Sequence, residues 1–174
     1  MATYTLISSN VLASSAASVT FSAIPSTYTD LVLRVSARGS TAANTVGLVI
    51  QANTDTGANY SYTNVQGTGS TAQSINNVNN GYSNGVWTGY ITGANATADT
   101  FGSAEFYVPS YTASQKKPIG SFVVSERNAT TGQYIVGSAG LWNSTSAITQ
   151  LVIFPYTDNF VSGSSFYLYG ISNA

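Results

Sequence analysis

The sequence predicts an all-β protein: a single antiparallel, jelly-roll-like β-sandwich with about ten strands and no substantial helix. Three observations support this prediction. Apolar and polar residues alternate in many short segments, which is the periodicity of β-strands. Residues typical of turns, chiefly Gly, Pro, Asn and Ser, separate those segments. Twelve Tyr and seven Phe among 174 residues also favour a packed sheet.

The predicted strands follow one another along the chain. They are Thr3–Ile7, Val19–Ile24, Thr29–Arg38, Val46–Ile50, Asn59–Val65, Gly85–Thr92, Gly102–Val108, Ile119–Glu126, Gln133–Trp142, Ile148–Pro155 and Asn159–Ile171. The alternation is clearest in Thr29–Arg38, where every second residue is apolar and is expected to face the core. We expect residues 1–174 to form one domain, since this length supplies one sizeable core.

The last strand is the most apolar segment near either end of the chain. Phe166, Leu168 and Gly170 share one face of it, because strand side chains alternate. A strand this apolar is buried best inside a sheet. The opening segment Thr3–Ile7 is the expected neighbour, which would bring the two ends of the chain together.

Two stretches lack this regularity. Ser8–Ser18 consists mainly of small residues and is expected to form a loop or hairpin. Residues 67–84 form a polar, loop-rich excursion of Asn, Thr, Ser and Gly. Loops of that length in a compact domain are usually functional or mobile.

Composition excludes several classes of function. Charged residues make up 6% of the chain, against about 25% in an average domain. Hydrophobic residues make up 43%, which argues against disorder. Five Lys and Arg residues form no patch that could follow a phosphate backbone, so nucleic-acid binding is not expected. No apolar run is long enough to cross a membrane.

Cysteine and a basic, apolar leader are both absent from the sequence. These absences indicate synthesis in a cytosol without disulfide formation. The Ser, Thr, Asn and Tyr content, in contrast, is typical of proteins exposed outside cells. A virion component made in an infected cell and released by lysis satisfies both conditions.

The chain is not expected to be an enzyme. It has no His, which excludes Ser-His-Asp chemistry and ordinary zinc sites. Its carboxylates are isolated in sequence: Asp30, Asp55, Asp99, Glu105, Glu126 and Asp158. Glu105 has the best strand context, but a salt bridge or a solvated edge position explains it more simply than catalysis. No cofactor or metal is expected.

Two polar segments have a structural and a functional interpretation. Asn53–Asn59 is the nearest approach to a calcium loop, although an Asx turn is favoured there. The basic cluster of Lys116, Lys117 and Arg127 is either a solvated turn or a weak docking site for an acidic protein surface.

Aromatic residues flank the polar excursion and are the candidate contacts for a glycan or a partner protein. They are Tyr60, Tyr62, Tyr82, Trp87 and Tyr90. Exposed aromatic faces can stack on sugar rings. For Trp87, as for Trp142, a place in the core is the favoured interpretation.

Four segments of the chain resemble a family of small tailed-phage virion proteins, which are common in phages of aquatic bacteria, including cyanophages. These segments are Thr3–Ser9, Ala17–Pro25, Tyr28–Ser36 and Phe160–Ile171. The resemblance covers both ends of the chain and leaves out the polar middle, residues 51–84. It implies a β-sandwich structural protein of the capsid or tail, and it carries over no catalytic residue.

The resemblance and the composition together predict a capsid decoration (cement) protein. It would be made in the host cytoplasm, bind the major capsid protein on the virion surface, and act as a homo-oligomer, with a trimer favoured. The alternative is a tail-fibre or receptor-binding module that recognises host-surface glycans. Such modules normally carry an N-terminal attachment segment, whereas a strand begins here at Thr3, and this favours decoration.

Overall fold

The computed structural model of the protein describes residues 2–82 and 84–172, with the backbone alone for residues 78–82. Twelve β-strands, and no helix, occur within this part of the chain. The strands are β1 (Thr3–Val11), β2 (Val19–Phe21), β3 (Asp30–Ala37), β4 (Thr45–Ala52), β5 (Tyr60–Gly67), β6 (Ala72–Tyr82), β7 (Val86–Thr92), β8 (Gly102–Val108), β9 (Lys117–Ser125), β10 (Tyr134–Trp142), β11 (Leu151–Pro155) and β12 (Ser165–Ser172).

These strands form two sheets. The large sheet has eight strands in the order β1-β12-β3-β8-β9-β10-β5-β6, and the small sheet has four in the order β2-β11-β4-β7. Neighbouring strands are antiparallel throughout. The predicted antiparallel β-sandwich is confirmed, with slightly more strands than the ten expected. In the described residues, no helix exists that could cross a membrane.

The core lies between the two sheets and follows the predicted alternation. On β3 the side chains of Leu31, Leu33, Val35 and Ala37 are at most 4% exposed. Leu48 and Ile50 of β4 join the same apolar cluster from the small sheet. Burial of apolar surface stabilises this arrangement by about 25 cal/mol per Å².

The closing strand β12 lies inside the large sheet, between β1 and β3. Tyr4 of β1 is opposite Ile171, so the two ends of the chain pair as expected. Phe166 and Leu168 are fully buried on the inner face. The sequence-based assignment of this strand to the core is therefore confirmed.

Two expectations about loops were wrong. Most of the polar excursion at 67–84 is strand β6, which pairs with β5 at the edge of the large sheet. A ladder of backbone hydrogen bonds does not require apolar side chains, and an edge strand exposes much of its surface to water. Strand β1 extends beyond Ile7 to Val11, with an irregularity between Leu6 and Ser8, so the loop prediction for Ser8–Ser18 was wrong for its first four residues.

The two closing strands belong to different sheets, since β11 lies in the small sheet and β12 in the large one. Residues 156–164 connect the sheets. Phe160 in this connection is fully buried, and its ring packs edge-on against Phe166 at a centroid distance of 4.9 Å.

The sheets differ in width, and this difference creates a corner at one side of the sandwich. The edge strand β7 of the small sheet packs across β9 and β10. Strands β5 and β6 of the large sheet therefore extend beyond β7, and part of their inner face is left uncovered.

Candidate functional site

The outer face of the large sheet carries an unusual amount of exposed apolar surface. Among the described residues, eight large hydrophobic side chains are between 43% and 64% exposed. Strand register places seven of them on this outer face. We call this set the apolar sheet face; it comprises Tyr4, Leu6, Val11, Val65, Tyr107, Phe122 and Ile135.

Strand pairing arranges these side chains in rows across the sheet. Leu6 lies opposite Tyr169, which in turn pairs with Val32 and then with Tyr107. Cross-strand neighbours on one face stand about 4.5–5.5 Å apart, so this row is nearly continuous. In other rows Arg34, Glu105 and several serines separate the apolar side chains. The seven side chains are nevertheless spread over most of the large sheet's width, from β1 to β5.

A shallow groove of about 300 Å³ lies within this face, between Val65, Phe122 and Ile135. Its floor includes Gly137, and Gly120 lies on the neighbouring strand in the same orientation. A Cβ atom at either glycine would meet no other atom within 4 Å. The chain's own packing therefore does not require these two glycines, and the space above them is free for a partner.

Three charged groups of this face, Arg34, Glu105 and Asp30, have partners within the chain. Arg34 donates to Glu105 at 2.9 Å, and both side chains are more than half exposed. Asp30 is only 6% exposed and accepts hydrogen bonds from the Tyr107 hydroxyl and the Ser110 amide. The hydrogen bond to Asp30, with some burial, raises the pKa of Tyr107. The salt-bridge interpretation of Glu105 is thus confirmed.

A second candidate site lies at the corner where β5 and β6 extend beyond β7. It is an open cleft of about 370 Å³, which we call the aromatic cleft. Its lining residues are Gly47, Tyr62, Ile75, Trp87, Tyr90 and Tyr156. None of them is charged.

The aromatic rings of this cleft contact one another in sequence. The ring centroids of Tyr62 and Trp87 are 5.8 Å apart. Trp87 packs edge-on against Tyr90 at a centroid distance of 4.9 Å, and the centroids of Tyr90 and Tyr134 are 4.3 Å apart. Edge-to-face and offset arrangements of this kind are favourable and hold the rings in fixed orientations. The cleft therefore has a preorganised aromatic floor.

Gly47 makes room for that floor. A Cβ atom at this position would lie 2.4 Å from Nε1 of Trp87 and 3.2 Å from the Cβ of Tyr156. Opposite Gly47 on the neighbouring strand is Tyr90. Only glycine lets the indole of Trp87 cross β4 here.

The hydroxyls of Tyr62 and Tyr90 stay neutral at physiological pH, because the pKa of each is raised. Burial is the main reason that the pKa of Tyr62 is raised, although a hydrogen bond with Asn77 acts in the opposite direction. Burial also raises the pKa of Tyr90, helped by the nearby Tyr134. Neutral phenols both donate and accept hydrogen bonds.

Three of the five predicted contact residues, Tyr62, Trp87 and Tyr90, come together in this cleft. Trp87 forms its floor and is 9% exposed. The side chain of the fourth, Tyr82, lies outside the described part of the chain.

The prediction of Tyr60 as a surface contact was wrong. Its ring is fully buried, and its hydroxyl donates to the carbonyls of Ala52 and Asp55 at 3.2 and 3.0 Å. Tyr60 and Tyr62 both point inward from β5, but only Tyr62 lies at the uncovered corner.

Sequence reasoning missed Tyr156, Ile75 and Gly47. Tyr156 follows β11 directly and is 63% exposed. An aromatic residue in an otherwise polar connection was a usable signal for Tyr156. Gly47 and Ile75 gave none, because their role depends on which strands the fold brings together.

The predicted basic cluster does not form a surface patch. Lys117 is fully buried and donates to the carbonyls of Ala113, Gln115 and Thr145, and burial lowers its pKa. Arg127 is 8% exposed and donates to the Thr131 carbonyl at 2.6 Å. Of the three, Lys116 alone is exposed, which leaves neither a solvated basic turn nor a basic docking site.

The segment Asn53–Asn59 forms the turn that the sequence favoured. The Asp55 carboxylate accepts from the Gly57 amide at 2.9 Å, which is an Asx turn, and from the Asn59 side chain at 3.0 Å. It also accepts from the Trp142 indole. Within the described residues, no group of three or more acidic or other metal-binding side chains occurs.

Comparison with known proteins gives similarities to solved structures. No protein-family model and no curated protein sequence matches this chain. Among solved structures, the Caenorhabditis elegans galectin LEC-6 aligns over 95% of this chain and 96% of its own, with 11% sequence identity and a TM-score of 0.34.

Proposed function

We propose that this chain is a structural protein of a tailed-phage virion. It binds the outer surface of the assembled capsid through its apolar sheet face and stabilises the shell. The observation that carries the proposal is the concentration of exposed large apolar side chains on one face of the sandwich. Of the eight such side chains among the described residues, seven lie on this face. Resemblance of the chain's two ends to phage virion proteins supports the choice of partner.

The area of the apolar sheet face suits a protein partner. Its three aromatic side chains are 43–56% exposed and, at about 150–250 Å² each, present roughly 300 Å²; the four aliphatic side chains add to this area. A standard protein–protein interface buries about 800 Å² on each partner. Exposed apolar patches on monomers rarely exceed about 300–600 Å².

The chemistry of this face favours contacts that tolerate changes of salt. Its ion pair, Arg34–Glu105, is internal and exposed, so it contributes little binding energy. Apolar burial, unlike exposed charge pairing, is not screened by salt. Such contacts suit a particle that meets variable ionic conditions outside the cell.

The mechanism is stabilisation by binding. Each copy buries surface against the assembled shell and binds the dissociated subunits less well, so binding shifts the equilibrium toward assembly by mass action. A homo-oligomer, with a trimer as our favoured state, would contact several capsid subunits at once and gain avidity. The partner is the major capsid protein.

Co-sedimentation with expanded, DNA-free capsids of the source phage tests this proposal. We expect the wild-type protein to bind and to raise the temperature at which the shells dissociate. Phe122→Asp, which places a charge beside the groove, should abolish binding. Tyr156→Asp is the matched control, since Tyr156 is at least as exposed as Phe122 but lies outside this face, and it should bind normally.

Two results contradict the proposal. One is capsid binding by Phe122→Asp at the level of the wild-type protein, with the variant folded by circular dichroism. The other is immuno-electron microscopy that places the protein only on the tail. Copy number gives an independent measurement: on the order of hundreds per virion indicates the capsid, and on the order of ten indicates the tail.

A further inference from the structure

We propose that the aromatic cleft is a binding site for an uncharged saccharide. This site is independent of capsid docking. Cross-strand register puts Trp87 and Tyr90 on the same side of the small sheet as Gly47 and Val49, away from the core. The other walls, Tyr62 and Ile75, belong to the inner face of the large sheet. All of these residues face away from the apolar sheet face.

The shape of the cleft suits a ring-shaped ligand of modest size. Its volume of about 370 Å³ falls at the lower end of the range of about 300–1,000 Å³ for small-molecule sites. Aromatic rings in tilted and edge-on contact form its floor, and Tyr156 lines the cleft with 63% of its surface exposed. The proposed position of a pyranose ring is against these aromatic side chains.

Chemistry of the lining selects the class of ligand. A sugar has an apolar face of C–H groups and a rim of hydroxyls. The cleft offers aromatic faces together with the phenolic hydroxyls of Tyr62, Tyr90 and Tyr156, which donate and accept hydrogen bonds.

The absence of charge in the lining excludes other ligands that stack on aromatic rings. Among the described residues that line the cleft there is no Lys or Arg to pair with a phosphate, so a nucleotide is disfavoured. The same described lining has no Asp or Glu to support a bound cation, which disfavours a quaternary ammonium group. A neutral saccharide leaves neither partner with an uncompensated charge.

A copy that docks on a shell by the apolar sheet face turns this cleft toward the solvent. Binding at a single open cleft is expected to be weak, with dissociation constants on the order of 1 mM. An array of copies on one particle would strengthen attachment to a polysaccharide surface by avidity. The cleft would then attach the particle to host or environmental glycans.

Titration of the purified full chain with a panel of neutral sugars tests the site. The panel contains glucose, galactose, mannose and N-acetylglucosamine with their β-linked disaccharides, and the readouts are saturation-transfer NMR and tryptophan fluorescence. At least one sugar should bind and change the fluorescence of Trp87. Trp142 is buried and hydrogen-bonded to Asp55, so its fluorescence should not change when sugar binds.

Two tyrosines of similar exposure on opposite sides of the sandwich supply the variants. Tyr156→Ala should weaken sugar binding at least tenfold, and Tyr4→Ala should leave it unchanged. Tyr90→Ala, checked for folding by circular dichroism, is the second cleft variant. Phe122→Asp should lose capsid binding yet keep sugar binding, so the two proposals fail separately.

Three outcomes overturn the inference. The first is that no sugar in the panel binds at 10-millimolar concentration, on the order of ten times the expected dissociation constant. The second is that sugar binding persists in folded Tyr156→Ala and Tyr90→Ala, and the third is that the wild-type protein binds choline or a proline-rich peptide but no sugar, and the cleft variants lose that binding. The last outcome would assign the cleft to a cation or a peptide.

Discussion

The indole N–H of Trp142 donates a 2.7 Å hydrogen bond to the carboxylate of Asp55, and so connects strand β10 to the turn after β4. Gly57 and Asn59 donate to the same carboxylate. Burial alone would raise the pKa of Asp55, but these hydrogen bonds together hold its pKa below the usual value. The ionised carboxylate is therefore part of the folded state.

Asp55→Ala is expected to lower the free energy of unfolding by about 1.5–3 kcal/mol at pH 7, because it removes hydrogen bonds to a charged acceptor. A depressed pKa stabilises the fold above the unfolded value of about 3.8, and this contribution is lost as the pH falls. The difference from wild type should thus shrink at pH 3.

Urea unfolding at pH 7 and pH 3 measures both effects. Glu105→Ala is the control, since its exposed ion pair should contribute less than about 1 kcal/mol. Equal stability of Asp55→Ala and wild type at pH 7 would contradict the assignment.

Leu168 and Leu6 form a matched pair on neighbouring strands. Leu168 is fully buried, whereas Leu6 is 50% exposed on the apolar sheet face. Leu168→Ala should cost about 2–5 kcal/mol by leaving a cavity, and Leu6→Ala about 1 kcal/mol or less. Chemical denaturation of the two variants decides this; similar losses would mean that the sheet has been assigned the wrong inner face.

Two glycines on β10 should respond in opposite ways to substitution by alanine. A Cβ at Gly140 would lie 2.5 Å from Cγ1 of Val86, so Gly140→Ala should cost about 1–3 kcal/mol through overpacking. Gly137 has open space above it, and Gly137→Ala should be neutral or stabilising by up to about 1 kcal/mol. Thermal denaturation compares them, and a large loss at Gly137 would contradict the open groove.

Alkaline pH should destabilise the protein through its buried tyrosines. Burial is the main cause that raises the pKa of Tyr60 well above its usual value, and the nearby Asp55 adds to the shift. A raised pKa gives stability that is complete below the unfolded value of about 10 and is lost as the pH rises further.

Denaturant unfolding between pH 9 and pH 11.5 should show this loss. Tyr60→Phe has no ionisable group at the site, so its stability should fall less steeply over the same range. The lowered pKa of Lys117 acts in the opposite direction, but it is common to both proteins and cancels in the comparison. Identical slopes would contradict the burial of the Tyr60 hydroxyl.

Strand periodicity predicted much of this architecture from the sequence. The alternation at Leu31, Leu33 and Val35 identified the inner face of β3, and the apolar strand ending at Ile171 was correctly paired with the first strand. The polar strand β6 was missed, because an edge strand is held by backbone hydrogen bonds that leave little trace in side-chain polarity.

The candidate site was only partly predictable. Tyr62, Trp87 and Tyr90 were identified as aromatic contacts from their position beside a polar stretch. Tyr60 has the same strand periodicity as Tyr62, yet it is fully buried while Tyr62 lies at an open cleft. Their difference depends on where the small sheet ends, which no local pattern records.

By itself, the sequence determined the class of fold, the inner faces of most strands and the scarcity of charge, since these follow from composition and short-range periodicity. Only the tertiary structure decided which outward residues form one surface. Val65, Tyr107 and Phe122 come from distant segments and share the apolar sheet face through strand order. Tyr156 and Trp87 line one cleft because strands β11 and β7 both pair with β4, and the two side chains flank Gly47 there. Long-range pairing sets both surfaces, and periodicity describes only each strand's own two sides.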